Sequence, residues 1–386
     1  MSGAAGKFVV VPVLLLFVAL LPTLLYIMER EVLYQGHGVE VPESLAGKLV
    51  LVTGGSQGIG QNGAIQFMKK GAKVIMTGRS KSKTIAAAKE AAAGLDPTLA
   101  IPMTLDLSRF DSVREFCKEV TEKLPKIDIL ILNAGISYQG GLPSNTTAPS
   151  GHDLAYATNY MGHYLLFRLL QPRLAPNAPI VMVGSASMWT GNFFDLMPRL
   201  RPRYDIPIKK GGRPINKAYA TSKLAEVCMV KKLRRMIGDK HLIAPMAPGF
   251  VDTGINGKVG KEESPCRKAR LEWWCGSPEV SGQMLVETAY ITKRPQPDFV
   301  YPYAYPKTYY SQFASPKMEK WRHGNGVVFG LPSQYQKLTF GLLHESVGPD
   351  CDVKMQDALW AWTEQEVGLG PAKAPEPEYY YYYYSG

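Results

Sequence analysis

A glycine-rich turn joins the first apolar run of the chain's body to its first helical pattern. The run Leu49–Thr53 leads into Gly54-Gly55-Ser56-Gln57-Gly58-Ile59-Gly60, and helix-forming residues follow. Further short apolar runs recur at Val74–Thr77, Ile101–Leu105, Ile127–Leu132, Ile180–Val183 and Leu242–Met246. Helical patterns lie between them, for example Ser112–Lys123, Asp153–Leu170 and Lys217–Ile237. Apolar runs that alternate with helices suit strands buried on both faces of a parallel sheet. The predicted fold is α/β, a doubly wound parallel sheet of Rossmann type over residues 48–292.

Position gives the turn its meaning. Glycines after a first strand let the backbone approach a pyrophosphate, and the next helix presents free N–H groups and a positive dipole end. Gly54, Ser56, Gln57, Gly58, Ile59 and Gly60 are the candidate cofactor-binding residues of this turn. An acid at the end of the second strand would bind the ribose hydroxyl of NAD. Arg79 stands there instead, and a cation suits a 2′-phosphate, so NADP(H) is the expected cofactor. Ser80 and Lys81 could assist.

Tyr219-Ala220-Thr221-Ser222-Lys223 falls in a helical pattern after the fifth apolar run. Positions i and i+4 share a helix face, so a phenol and an ammonium can point into one cleft. A nearby ammonium favours phenolate, which makes a tyrosine usable as an acid or base near neutral pH.

With these motifs the chain resembles the short-chain dehydrogenase/reductase family over roughly residues 48–292 and parts of 324–370. The matching positions are Thr53–Gly60, Asp106, Asn133-Ala134-Gly135, Asn159, Ser185, Tyr219 and Lys223, and Pro248-Gly249 with Thr253. The resemblance implies roles for each. Tyr219 would exchange the proton with the carbonyl or alcohol oxygen, and Ser185 would hydrogen-bond that oxygen. Lys223 would bind the nicotinamide ribose and tune Tyr219. Asn159 would hold a proton-relay water. Asp106 and Leu107 would flank the adenine, Asn133, Ala134 and Gly135 would line the cofactor floor, and Pro248, Gly249 and Thr253 would meet the nicotinamide end. Ser187 competes with Ser185 by position. Asp106 could cap the next helix, and His152 and His163 read as structural. Cys228 reads as a core residue of the Tyr219 helix.

Phe110–Phe116, Asn159–Tyr164, Ala218–Ala225 and Ala358–Trp362 resemble the branch of retinol dehydrogenases and WW-domain oxidoreductases, whereas Thr53–Ser56 resembles 3-ketosphinganine reductases. Both imply a lipophilic ketone, aldehyde or alcohol (retinoid, steroid or sphingoid-like) and a role in lipid metabolism. Family members often pair through the helices at Asp153 and Lys217, so a homodimer is one expectation.

The segment Phe8–Met28 carries no charge. At ~1.5 Å per residue it spans about 30 Å, the thickness of a bilayer's hydrocarbon core. A secretory leader has a shorter apolar stretch with a small-residue end. This one ends Met28-Glu29-Arg30-Glu31, so an uncleaved N-terminal transmembrane helix is expected over 1–28, then a linker over 29–47. The expected cofactor suggests a cytosolic catalytic domain, with the endoplasmic reticulum as the first expectation and mitochondrial or plastid membranes as alternatives. An insert and C-terminal extension over 293–370 completes the domain. It contains a Pro/Tyr-rich stretch, about 293–321, and a candidate seventh strand at Gly326–Phe329. Residues 371–386, with Tyr379–Tyr384, lack periodicity and read as a disordered tail.

Composition excludes several classes. The net charge of +11 comes with no nucleic-acid motif, and is densest at Arg199–Lys217 and Lys258–Arg270. Five cysteines without a CxxC pair exclude a zinc site and a disulfide scaffold, and fit a reducing compartment. Two function classes remain: a membrane-anchored NADP(H)-dependent oxidoreductase, or a non-catalytic subunit of a membrane complex that keeps the fold.

Overall fold

The computed structural model describes residues 41–137, 146–185, 187–188, 191, 217–248, 251, 253, 255, 278–290 and 351–370. Its strands are β1 (Leu49–Val52), β2 (Lys73–Gly78), β3 (Ala100–Thr104), β4 (Ile129–Leu132), β5 (Ile180–Val183) and β6 (Ile243–Met246). All six are parallel, in the order β3-β2-β1-β4-β5-β6. Each apolar run of the sequence became a strand, within two residues at either end.

The reason is visible in β1 and β4. Successive side chains point to opposite faces. Leu49 and Leu51 enter one core with Leu130 and Leu132, while Val50 and Val52 enter the other with Ile129 and Ile131. Both faces are covered, so no polar residue interrupts these strands. Burying each such side chain contributes about 1.5–3 kcal/mol.

Helices α1 (Gly58–Lys69), α2 (Lys81–Ala91) and α6 (Pro278–Thr288) supply the second core, through Phe67, Met68, Ala88 and Leu285 among others. The first core is covered by α3 (Phe110–Lys123), α4 (154–170), α5 (Lys217–Ile237) and α7 (Val353–Glu366). The pattern 153–170 predicts one regular helix. The structure instead runs α4 as Leu154–Tyr156, a π-helical segment Ala157–Met161, and Gly162–Leu170. The wider turn falls on Asn159, a position on which the site draws.

The C-terminal helix α7 packs against α4 and α5, the two helices expected to pair copies of the chain. Trp360 lies edge-on to Tyr164 at 4.7 Å between ring centroids, and Tyr160 Oη meets Thr363 Oγ1 at 2.8 Å. Asp357 on α7 pairs with Lys232 and Arg235 on α5. Cys228 is buried in α5, as expected, but it is not a free thiol. It forms a disulfide with Cys351, just before α7, with Cα atoms 5.4 Å apart. The cysteine count did not point to this bond. A cystine is out of keeping with the reducing compartment that the count suggested.

Among the described residues no helix is long and apolar enough to cross a membrane. The Phe8–Met28 run, the two basic stretches apart from the start of α5, the 293–321 insert, the Gly326–Phe329 strand and the 371–386 tail lie outside the described residues, as does Gly249.

Candidate active site

The ends of β1, β4, β5 and β6 converge on one side of the sheet, where doubly wound folds place their ligand crevice. The glycine turn leaves β1 here. Gly58 has φ +58, a left-handed conformation that favours glycine. A Cβ at Gly60 would overlap Asn133 Nδ2 and the Gly54 carbonyl oxygen. Helix α1 then starts with no side-chain cap and no acid in its first turn, whereas α2 and α7 are capped by Ser80 and Asp352. A bare helix N-terminus against a glycine cradle fits a pyrophosphate.

Asn133 holds that cradle in place. Its Nδ2 donates to Thr53 O at 2.8 Å, and its backbone N–H donates to Thr53 Oγ1 at 2.8 Å, as does the Ala134 N–H at 3.0 Å. Behind them His163 is fully buried. Its Nε2 lies 2.8 Å from Thr53 Oγ1 and its Nδ1 2.7 Å from Asn159 O. Nδ1 carries the hydrogen that the Asn159 carbonyl accepts. Burial pushes the imidazole pKa down to about 3, although the bond to Asn159 opposes this.

The Asn159 side chain joins two further elements. Its Oδ1 accepts from Ile136 N at 2.9 Å, and its Nδ2 donates to Ile136 O at 3.1 Å and to Ser222 Oγ at 3.0 Å. Both amide hydrogens are therefore committed to protein groups, and the backbone carbonyl is engaged by His163.

On α5, Tyr219 is half-buried and Lys223 is buried, with Lys223 Nζ 5.7 Å from the Tyr219 ring centroid. The i, i+4 spacing thus brings phenol and ammonium together. Nζ donates to Val183 O at 2.9 Å, at the end of β5, and to both carboxylate oxygens of Glu226 at 2.8 and 3.1 Å. Burial works to lower the Lys223 pKa, but Glu226 and Tyr219 outweigh it, so the group stays an ammonium. Ser185 lies two residues past the end of β5, and its Oγ lies 3.2 Å from Ser187 Oγ, so the two competing serines sit side by side. Gly135 faces the same place: a Cβ there would lie 3.5 Å from Asn159 Oδ1 and 3.8 Å from Lys223 Nζ.

The remaining predicted positions divide. Thr253 reaches the glycine turn, its Cγ2 3.3 Å from where a Gly58 Cβ would be. Pro248 is buried just past β6. Ser56 Oγ lies beside Gly78, and Arg79 is exposed one residue beyond β2. Asp106 accepts from Ser108 N at 3.0 Å and from Ser108 Oγ at 2.7 Å. It closes its own turn and does not cap α3, whose N-cap is Arg109. Leu107 points into the core, leaving only its backbone for an adenine. Sequence reasoning missed Ser222 and Glu226. The signal was present, since positions 219, 222, 223 and 226 form one polar stripe in the first half of the helix, between apolar residues such as Ala220, Leu224, Ala225 and Val227.

Comparison with known proteins agrees with this geometry. A family profile described as short chain dehydrogenase matches residues 48–193. Human retinol dehydrogenase 13 is 31% identical over 248 residues, 62% of this chain and 71% of that protein. Mouse retinol dehydrogenase 14 is 32% identical over 235 residues, 56% of this chain and 65% of that protein. Bovine dehydrogenase/reductase SDR family member 13 is 37% identical over 192 residues, 49% of this chain and 48% of that protein. The chain thus spans between about half and somewhat over two thirds of the length of these relatives. Among solved structures, a protein from Mycobacterium paratuberculosis superposes with a TM-score of 0.54 at 24% identity, covering 86% of this chain and 97% of that one. The oxidoreductase YciK of E. coli gives 0.51 at 19% identity, covering 68% and 98%; at these identities the likeness speaks for the fold alone. With its glycine cradle, its Tyr219–Lys223 pair and its relatives, the chain belongs to the short-chain dehydrogenase/reductase family, in the retinol dehydrogenase branch.

Proposed function

We propose that the protein is a membrane-anchored, NADP(H)-dependent oxidoreductase that moves hydride between the nicotinamide and a lipophilic ketone, aldehyde or alcohol. The observation that carries this reading is the buried Lys223 ammonium, fixed by the end of β5 beside the Tyr219 ring. The cofactor supplies the hydride, and the chain supplies position and proton. In reduction Tyr219 gives its hydroxyl proton to the substrate oxygen as the carbonyl carbon is reduced, and the resulting phenolate faces the ammonium. In oxidation the same proton returns to Tyr219. Ser185 would donate a hydrogen bond to the substrate oxygen as charge develops there. Asn159 and Ser222 brace α5 against the end of β4, so that Tyr219 and Lys223 keep their places.

Several features support the finer parts. Arg79 at the end of β2 favours a 2′-phosphate, the uncharged run Phe8–Met28 suits a bilayer, and two of the three relatives are named for retinol. Any pairing of two copies through α4 and α5 would form beside α7. The test is cofactor consumption by the full chain with all-trans-retinal, a steroid ketone, 3-ketosphinganine and a long-chain alkyl aldehyde. NADPH and NADH are compared, with Tyr219→Phe as control. Turnover of at least one carbonyl with NADPH is expected, lowered by roughly 10²–10⁴-fold in Tyr219→Phe. A chain that binds NADPH and reduces none of them would overturn the enzymatic reading in favour of a non-catalytic subunit.

A further inference from the structure

Lys223 is held by more than its anchoring requires. The Val183 carbonyl alone would fix Nζ at the end of β5, yet a second buried charge faces it. Glu226 is 2% exposed and offers both carboxylate oxygens to Nζ. Burying a second ion is costly, and an apolar residue at 226 would fill the same space without that penalty. The pair is therefore weak evidence for stability, and its effect falls on whatever Lys223 does.

What Lys223 does is electrostatic. An ammonium beside a phenol favours the phenolate. A carboxylate on the far side of that ammonium subtracts from the pull. The other groups facing the pair do not compete with this. His163 on α4 is neutral, β5 presents the Val183 carbonyl, and Asp357 on α7 is engaged further along α5 by Lys232 and Arg235. Tyr219 and Glu226 are the titratable partners of Lys223 on its own helix.

We propose that Glu226 is a positioning residue of the Tyr219–Lys223 couple, which grips the Lys223 ammonium and offsets part of its charge, thereby setting the pH at which Tyr219 exchanges its proton. The proposal rests on the acid–base reading of Tyr219 given above. It turns a two-residue couple into a row of three residues along one helix face, at 219, 223 and 226. Burial pushes the Glu226 carboxyl up to about 7, against the opposing pull of Lys223. The offset consequently changes across neutral pH. Below that value Glu226 takes up a proton and its offset is withdrawn, while the Val183 carbonyl still holds Nζ. Above it the ion pair is nearly neutral and the pull weakens.

The test uses the full chain, detergent-solubilised and labelled with tyrosine carrying ¹³C at Cζ. The resonance lost in Tyr219→Phe reports Tyr219. In Glu226→Gln that resonance is expected to titrate about one pH unit lower than in the wild type. An unmoved midpoint in a Glu226→Gln chain that still binds NADPH overturns the proposal. Should Glu226→Gln fail to fold, the wild-type resonance decides: a second, smaller inflection near neutral pH is expected, and its absence overturns the proposal. The readout needs no turnover. A chain in which Tyr219→Phe leaves carbonyl reduction intact would instead overturn the acid–base reading, so the two failures are distinguishable.

Discussion

His163 Nε2 lies 2.8 Å from Thr53 Oγ1, and this buried bond ties α4 to the first residue of the glycine turn. The imidazole is neutral because burial disfavours its charged form, and its pKa falls to about 3. The sign follows from the direction of the shift. A folded-state value below the unfolded one, about 6.5, makes a contribution to stability that is present above pH 6.5. That contribution is lost as pH falls toward 3, at about 1.4 kcal/mol per pH unit. Between pH 7.5 and 5.0 the wild type should therefore lose about 2 kcal/mol more than His163→Gln, measured by urea unfolding at both values. Equal losses in the two proteins would show that His163 carries no such linkage.

Gly60 is the narrowest point of the cradle. An added Cβ would overlap Asn133 Nδ2 and the Gly54 carbonyl oxygen, and backbone cannot swing aside as a flexible side chain can. Gly60→Ala should cost about 1–3 kcal/mol of stability through overpacking. It should also weaken NADPH binding at least tenfold, as read by nicotinamide fluorescence. Unchanged affinity would mean that the turn does not hold the pyrophosphate.

Much of this architecture could be read from residue order. Val50, Val52, Ile129 and Ile131 are apolar because both faces of the sheet are covered, and that leaves an unbroken run in the sequence. Tyr219 and Lys223 meet because a helix repeats every 3.6 residues. What escaped was set by tertiary contact. The π-helical turn at Asn159 carries no spacing signal, since its side chain is satisfied by Ile136 and Ser222 from other parts of the chain. The Cys228–Cys351 bond joins positions with a sequence separation of 123, which no local pattern encodes. Glu226 was legible as a stripe position on α5, but only the burial of the helix shows that its charge has nowhere else to go.

The disulfide bears on the C-terminal helix. Removing it, by Cys351→Ser or by reduction, frees a long loop in the unfolded chain and is expected to cost up to about 4–5 kcal/mol. The Asp357 ion pairs and the Tyr160–Thr363 bond remain, so α7 should loosen before the sheet does. Limited proteolysis should cut near residues 351–370 in Cys351→Ser while the core survives. Peptide mapping of the unreduced protein should recover the 228 and 351 peptides linked. Recovery of both as free thiols would contradict the bond.

Arg79 is the proposed determinant of cofactor choice, and it would act by charge. It is exposed one residue beyond β2, next to the Gly78 backbone that Ser56 approaches from the glycine turn. A guanidinium there can pair with a 2′-phosphate, and a charge-assisted bond of that kind is worth about 1.5–3 kcal/mol, roughly 10- to 150-fold in affinity. Arg79→Asp replaces attraction by repulsion and gives the ribose hydroxyl of NADH an acceptor. The ratio of kcat/KM for NADPH to that for NADH should fall at least tenfold, most of it through KM for NADPH. The exposed position predicts a stability change within about 0.5 kcal/mol, so lost activity cannot be blamed on unfolding. If the ratio does not move, the 2′-phosphate is recognised elsewhere and Arg79 is a surface residue at a strand end.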